Sequence, residues 1–396
     1  MKYLQGKRAP FVVPAAVVLA IGAGAAAPVA SGAPAPPSLP KTTPEQVVAQ
    51  VLSAQPPELT GQLNWTADLG LGDLTSAAGE LGAGGAGGAF NPLSLLNGSY
   101  QVDAWLDGAK AEHLAMSPQP GQELDFVRNG NQAWTWDSST LKVQHFTWPA
   151  RRGSGGTVPS STTVPTSVPE TPQQLAQRIL TAVGKSSTVD VPTTRWVAGI
   201  ATYELVLTPG AAGSIASVPN STVDHIAIDV AGRGPLAGIP LQVAVYAKGQ
   251  ALPALQLGFG PGLQTGAPPP SELTFTPPTG ATVVNHTLGA HQRSRQDGTA
   301  GQAKIRSKWS GSSASAPTTI GSGWDAVCTG TTSALGNPRY RQALEATTTL
   351  VTVGGQQARL FSSALANVLF VPGGRYYAGL VTPGFLEATA AKAAGA

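Results

Sequence analysis

Hydrophobic and polar positions alternate along much of the chain with the period of two that marks half-buried strands. In GQLNWTADL the residues Leu63, Trp65, Ala67 and Leu69 share one side, and in SYQVDAWL the same holds for Tyr100, Val102, Ala104 and Leu106. AKAEHLAM, ELDFV, QAWTW and LKVQHFTW follow at the short intervals of an antiparallel meander. A second series contains TRWVAGIATYELVLT, VDHIAIDV, LQVAVYA and PALQLGF, and the strand-rich region closes on SELTFTPPTGATVV. Three segments carry helix signals instead: TPEQVVAQVLSA (43–54), TPQQLAQRILTAV (171–183) and TPGFLEATAAKA (382–393). Each sets Thr at the N-cap and Pro at the first helical position. In the first two, Gln46 and Gln174 complete a capping box. Their apolar faces, Val47, Val48, Val51 and Leu52 in one and Leu175, Ile179, Leu180 and Val183 in the other, need an apolar surface to cover. Runs of strands with occasional helices predict an α+β, mainly antiparallel β architecture rather than alternating βα units.

Breaks in the pattern divide the chain. Residues 1–33 carry Lys2, Lys7 and Arg8 ahead of a long uncharged apolar run, the layout of an export signal or of a retained N-terminal membrane anchor. The chain is therefore expected outside the cytoplasm, either secreted or held at the cytoplasmic membrane. Residues 43–149 form the first half of a sheet domain, with GELGAGGAGGAFNP (79–92) as a flexible loop within it. A Ser/Thr/Pro linker (150–170) precedes the second half (171–284). A basic linker (285–319) follows, with five Lys or Arg against one Asp, expected to be solvated together with His286 and His291. Residues 320–396 read as a strand hairpin around Pro372-Gly373-Gly374 and a final helix.

Composition narrows the function. Hydrophobic residues make up 42% of the 396 residues and charged residues only 11%, so the chain folds but shows a surface of small, hydroxyl and amide groups. A net charge of +3 gives no ground for nucleic-acid binding. The lone Cys328 excludes an intramolecular disulfide and a thiolate zinc site and suits a small buried residue. In AVGKSS (182–187) the Gly-Lys-Ser lacks the earlier glycine of a P-loop and ends a helix rather than starting one. There is no G-x-S-x-G elbow and no H-E-x-x-H pair. On a strand, His225 and Asp229 share a face but stand ~13 Å apart. No metal, cofactor or catalytic constellation is expected, and the chain reads as a binder rather than an enzyme.

The hairpin GQELDFVRNGNQAWTWDSSTLKV (121–143) turns on loop parity. A two-residue Asn129-Gly130 loop would mix Glu123 and Asp125 with Trp134 and Trp136 on one face, whereas a three-residue loop groups Leu124, Phe126, Trp134 and Trp136 and sends the acids to the other side. The apolar match favours three. A four-residue DSST turn would then bring Leu141 opposite Trp136 and Val143 opposite Trp134. The expectation is one broad apolar face of Leu124, Phe126, Trp134, Trp136, Leu141 and Val143, either filled core or the wall of a ligand cavity under short helices.

The order of DFVRNGNQAWTWDSS, TPQQLAQRIL, VAGIATYELVLTP, IAIDVAGRGPLAGIPLQVAVYA, LTFTPPTGATVV and VLFVPGGRYYAGLVTP resembles that of the bacterial lipoprotein-carrier (LolA-like) family and the periplasmic sigma-E regulatory proteins of the MucB/RseB type, in particular their exported actinobacterial relatives. The resemblance spans most of residues 43–390. It implies a curved, unclosed half-barrel whose concave apolar face is covered by helices and holds the acyl chains of a lipid or lipoprotein. In the regulatory branch it implies contact with a membrane partner such as an anti-sigma factor. It implies no enzymatic activity and carries over no single binding residue. Three readings follow: an extracytoplasmic lipid or lipoprotein binder, a regulator that contacts a membrane protein, and a cell-surface structural protein with a filled core.

Overall fold

The computed structural model describes residues 35–71, 95–118, 120–148, 170–183, 186–211, 214–218, 220–287, 317–332 and 347–394. The N-terminal export or anchor segment, the glycine-rich loop 79–92, His291 and nearly all of both linkers lie outside these residues.

The period-two segments form the strands of one large open sheet. From the first half come β1 (Glu58–Asp68), β2 (Asn97–Asp107), β3 (Ala111–Met116), β4 (Leu124–Asn129), β5 (Gln132–Asp137) and β6 (Lys142–Thr147). From the second come β7 (Ser187–Val197), β8 (Ile200–Ala211), β9 (Ser214–Ser217), β10 (Val223–Ala231), β11 (Pro240–Ala247), β12 (Leu255–Phe259), β13 (Gln264–Thr265) and β14 (Thr282–Thr287). The order is β14-β6-β5-β4-β3-β2-β1-β12-β11-β10-β8-β7, with β13 beside β1 and β9 beside β8. All pairs are antiparallel except β14 on β6. The two halves join where β1 pairs with β12, Leu63 opposite Phe259.

TRWVAGIATYELVLT is a hairpin rather than a single strand. Ala198 and Gly199 take φ of 51° and 79°, the left-handed pair that a two-residue type I′ turn requires. β14 reaches Thr287, so His286 is not solvated: its ring stacks on Phe146 at 4.8 Å. Docking of β14 along β6 brings the two rings opposite each other.

The helices are where their caps put them: α1 (Pro44–Ser53), α2 (Pro172–Val183) and α3 (Pro383–Ala394). Thr43 and Gln46 form the capping box of α1. Thr171 and Gln174 exchange the same two bonds on α2, at 3.0 and 3.3 Å. The α1 and α2 helices are tied to each other, since the Gln173 and Gln177 amides donate to the Ala54 and Val51 carbonyls. Ahead of α1, the hydroxyls of Thr194 and Tyr203 donate to the Pro37 and Pro40 carbonyls, both at 2.7 Å, and fasten residues 36–40 to the sheet. No helix among the described residues is long and apolar enough to cross a membrane.

The C-terminal region is more than a hairpin and helix. The expected turn at Pro372–Gly374 joins β19 (Asn367–Val371) to β20 (Arg375–Gly379), but these lie in a six-stranded sheet with β15 (Thr318–Ile320), β16 (Val327–Thr331), β17 (Thr349–Val353) and β18 (Gln356–Ser362). One face of this sheet, with Leu360, Leu369 and Tyr377, buries the α3 residues Leu386 and Ala390. The other face sends Phe361, Phe370 and Tyr376 into the core formed by α1, α2, β8, β10 and β11. Cys328 is half-buried, its Sγ 3.9 Å from the Tyr376 hydroxyl.

Candidate functional site

The register of the 121–143 hairpin separates the six residues expected to share a face. Asn129 pairs with Gln132, Val127 with Trp134, and Asp125 with Trp136, so the loop is Gly130–Asn131 and has two residues, not three. In the next pair, Trp134 meets His145 and Trp136 meets Val143. Residues directly opposite one another share a face. Leu124 and Phe126 therefore point with Ala133 and Phe146 to the covered side, while Trp134, Trp136 and Val143 point with Asp125 and Val127 to the other. Leu141 belongs to neither: it sits in the turn with φ 52°, 53% exposed.

The reason for the correction is that both faces of this hairpin are buried. After β13 the chain returns across the outer face through a 3-10 turn, Pro270–Leu273, and runs on to β14. Asn129 Nδ2 donates to the Leu273 carbonyl at 3.2 Å, which keeps Asn129 in the strand. Beneath this strap Val127, Trp136 and Val143 are buried, as is Leu273 of the strap itself. The Trp136 indole donates to Glu123 at 3.3 Å, and Trp134 stacks on His145 at 4.9 Å.

The covered face is packed with the chain's own side chains. Over β2–β6 it takes Val197 from the end of β7 and Leu236 and Ile239 from the β10–β11 loop. Over β8–β12 it takes α1, α2, Trp324 and the inner face of the C-terminal sheet.

The outer face differs. A groove of about 890 Å³ crosses β1–β4, its floor formed by Gln62, Asn64, Ser99, Gln101 and Asp103. Asp103 accepts from Gln62 Nε2 at 3.3 Å. One end is walled by Trp105, His113, Asp125 and Glu272. Trp105 stacks on His113 at 4.8 Å. The His113 Nδ1 lies 2.7 Å from the Glu272 carbonyl, an acceptor only, so Nδ1 carries the hydrogen and donates it. In the neutral ring Nε2 is then an acceptor, and it faces Asp125 Oδ1 at 3.9 Å, too far for a hydrogen bond. Neither buried atom has a hydrogen-bond partner. Burial works against a charge on His113, but the Asp125 carboxylate and the Glu272 carbonyl outweigh it and raise its pKa.

No family model and no curated protein matches the chain. Among solved structures it is similar to a chain of the Pseudomonas aeruginosa MucA/MucB complex, at 13% identity and TM-score 0.38 over 88% of this chain and 95% of that chain. A LolA superfamily protein from Nitrosomonas europaea is similar at 10% identity and TM-score 0.21 over 59% and 99%, and a DUF1329 family protein from Desulfovibrio piger at 9% and 0.20 over 85% and 88%. MucB and the LolA superfamily are also the ones that the order of the sequence motifs resembles. What the groove does is a question for its own residues.

The register continues the polar face beyond the groove. Glu204, Asp229, Gln242, Gly258, Asn64 and Gln101 lie opposite one another in turn across six strands. A Cβ at Gly258 would stand 2.9 Å from the Gln242 side chain, so the glycine leaves room for that amide to lie along the sheet. Gln242 donates to Asp229 at 3.1 Å and accepts from Gln256 at 3.2 Å. As the strand spacing requires, His225 does not partner Asp229: it bonds its neighbour Asp224 and stacks on Tyr246 at 4.2 Å. The partners of Asp229 come from other strands: Arg195 Nε at 3.5 Å, with Glu204 bonded to the same guanidinium. The signal available in sequence was an acid in an otherwise apolar strand, and its partners could be found only through register.

Asp229 is fully buried, and burial raises its pKa to about 7 despite Arg195, with Glu204 adding to the rise. The folded state thus holds a proton that the unfolded chain has already released between about pH 4 and 7, and stability falls as pH rises through that window. Asp229→Asn is expected to be more stable than the parent at pH 8, by at most a few kcal/mol at ~1.4 kcal/mol per pKa unit, and to lose that advantage at pH 5. Thermal melts at the two pH values measure this; a variant weakened more at pH 8 than at pH 5 would show that the carboxylate charge is needed.

Proposed function

We propose that this chain is a non-enzymatic binding protein acting outside the cytoplasm, and that its ligand is a polar segment of a partner protein held in the outer-face groove. The export-type N-terminus supports the location. One observation carries the choice of ligand: the apolar covered face is packed with the chain's own helices, loops and C-terminal sheet, while the open groove presents amides, hydroxyls and carboxylates beside a smaller apolar share that includes Trp105, Met116 and Pro118. An acyl chain gains from leaving water only against apolar walls. The extended backbone of a polypeptide gains from a floor of hydrogen-bonding side chains. This favours the reading as a regulator that contacts a membrane partner, such as an anti-sigma factor, over that as a carrier of lipid or lipoprotein acyl chains. The carrier reading would require α1 and α2 to lift from Leu205, Ile228 and Val243 as a pair.

The test uses the full chain with Cys328→Ser and an environment-sensitive dye on Gln101→Cys, exposed on the groove floor. A hexapeptide of Ser and Gln is expected to change the dye signal, and a fluorescent fatty acid is expected to bind nowhere on the protein. Solvent extraction and mass spectrometry of the purified chain should find no stoichiometric lipid. One tightly retained acyl lipid per chain, with a dye indifferent to peptide, would overturn the reading in favour of a carrier.

A further inference from the structure

We infer that His113 is a proton-operated latch on the returning strap: the protonated ring fastens residues 266–281 across the outer face, and loss of the proton loosens them. The latch does not depend on what the groove holds, although the strap is one wall of that groove.

The composition of the strap limits how it can attach. Pro268, Pro269, Pro270, Pro277 and Pro278 offer no backbone N–H, so this stretch cannot zip onto the sheet as a strand. The sheet reaches up to it instead: His113 Nδ1 and Asn129 Nδ2 donate to two successive carbonyls, those of Glu272 and Leu273, at 2.7 and 3.2 Å. Bonds of this kind can be released without breaking a strand ladder.

One of the two donors is titratable, and its ring serves a second acceptor. The His113 and Asp125 side chains are 16% and 12% exposed, and Nε2 faces the Asp125 carboxylate at 3.9 Å. An imidazolium has an N–H for each acceptor, whereas a neutral imidazole has one N–H for the two. If the neutral ring keeps the strap carbonyl, two buried acceptor atoms are left face to face. If it turns its hydrogen to the carboxylate, the stronger acceptor, the strap loses its bond.

The charged groups that face the ring among the described residues are carboxylates. Asp103 of β2 and Asp125 of β4 both stand opposite Ala115, two residues along β3, and Glu272 comes from the strap. Of the others near it, Asp107 is bonded to Lys110, Glu123 to Trp136, and Glu112 of β3 to Arg128 on the opposite face. Trp105 stacks on the ring itself. Burial works against the charge, but Asp125 and the Glu272 carbonyl outweigh it and raise the His113 pKa. The hold on the strap is therefore complete below the ordinary histidine value of about 6.5 and is lost as pH rises through the raised value.

NMR titration of the histidine side chains in the full chain is the first test, the His113 signal being assigned with His113→Gln. It is expected to titrate above ~6.5, and Asp125→Asn should bring the value down. The strap is read with Val127→Cys, buried opposite His113, in a Cys328→Ser chain. Its thiol-labelling rate, divided by that of the same chain unfolded in urea at each pH, gives the protection under the strap. Protection is expected to fall several-fold from about pH 6 to about pH 8.5, in step with the His113 titration. His113→Gln, which keeps a neutral donor for the Glu272 carbonyl, should remove that fall, and His225→Gln should not. A His113 value at or below ~6.5, protection unchanged with pH, or the same fall in His113→Gln would each overturn the latch. The titration decides the matter even if the Val127→Cys chain does not fold.

Discussion

Trp136→Ala is expected to lower the stability of the chain by about 3–5 kcal/mol, and Trp134→Ala by far less, although the two indoles stand two residues apart on one face. Trp136 is 5% exposed, packed beside Val127 and Val143 beneath the returning strap, with its Nε1 bonded to Glu123. Its removal leaves a cavity that the strap and two strands cannot collapse together, and it leaves the Glu123 carboxylate without that donor. Trp134 is half-buried, its ring on His145 with Phe275 6.4 Å away, and water can take the space it leaves. Urea unfolding of the two variants, followed by far-UV circular dichroism, measures the contrast. Equal costs, or a larger one at Trp134, would mean that the strap does not seal the outer face as described.

Ending the chain after residue 316 should be more damaging still. The C-terminal sheet is an integral wall of the main core: Trp324, Phe361, Phe370 and Tyr376 are buried there among residues of α1, α2, β8 and β10. The Trp324 indole donates to the Ser187 hydroxyl at 3.0 Å, and the Thr222 backbone N–H donates to the Leu380 carbonyl at 3.0 Å. Loss of a buried aromatic costs ~3–5 kcal/mol. Four of them reach the whole ~5–15 kcal/mol margin of a domain. The shortened chain is expected to bind an apolar dye such as ANS and to lose its cooperative melt. A truncated chain that melts cooperatively at the parent temperature without dye binding would show that the two sheets are independent bodies.

The helices were the most legible part of the sequence, because Thr-Pro with Gln at the third position is a local device that tertiary contacts do not need to complete. Strand positions were legible for the same reason: Leu63, Val102 and Ala104 face the core as their alternation requires. The hairpin register was not legible. Apolar matching decides a register only when one face is buried, and here the strap buries the second face, so Phe126 and Trp136 each find a core on opposite sides. The Asn-Gly pair also misled: Gly130 takes φ 59° in the first turn position, the slot a type II′ hairpin keeps for glycine, and Asn129 remains in the strand bonded to the strap. The groove was invisible because its lining comes from four strands and a turn near residue 272, each contributing polar residues that read singly as solvent-facing. The C-terminal sheet was missed because its strands are short and half of its core lies in the other sheet.

The pairing of β1 with β12 also fixes when the protein can fold. Its first strand has one neighbour in β2 and cannot gain the other until Phe259 is available to pair with Leu63. Contacts so distant in sequence are slow to form, since the loop between them must be closed before the pairing stabilises anything. A nascent chain shorter than this therefore has no finished sheet to hold it compact. The late closure thus makes the chain's own topology, and not the strength of any one strand, the thing that holds it open until most of it has been made.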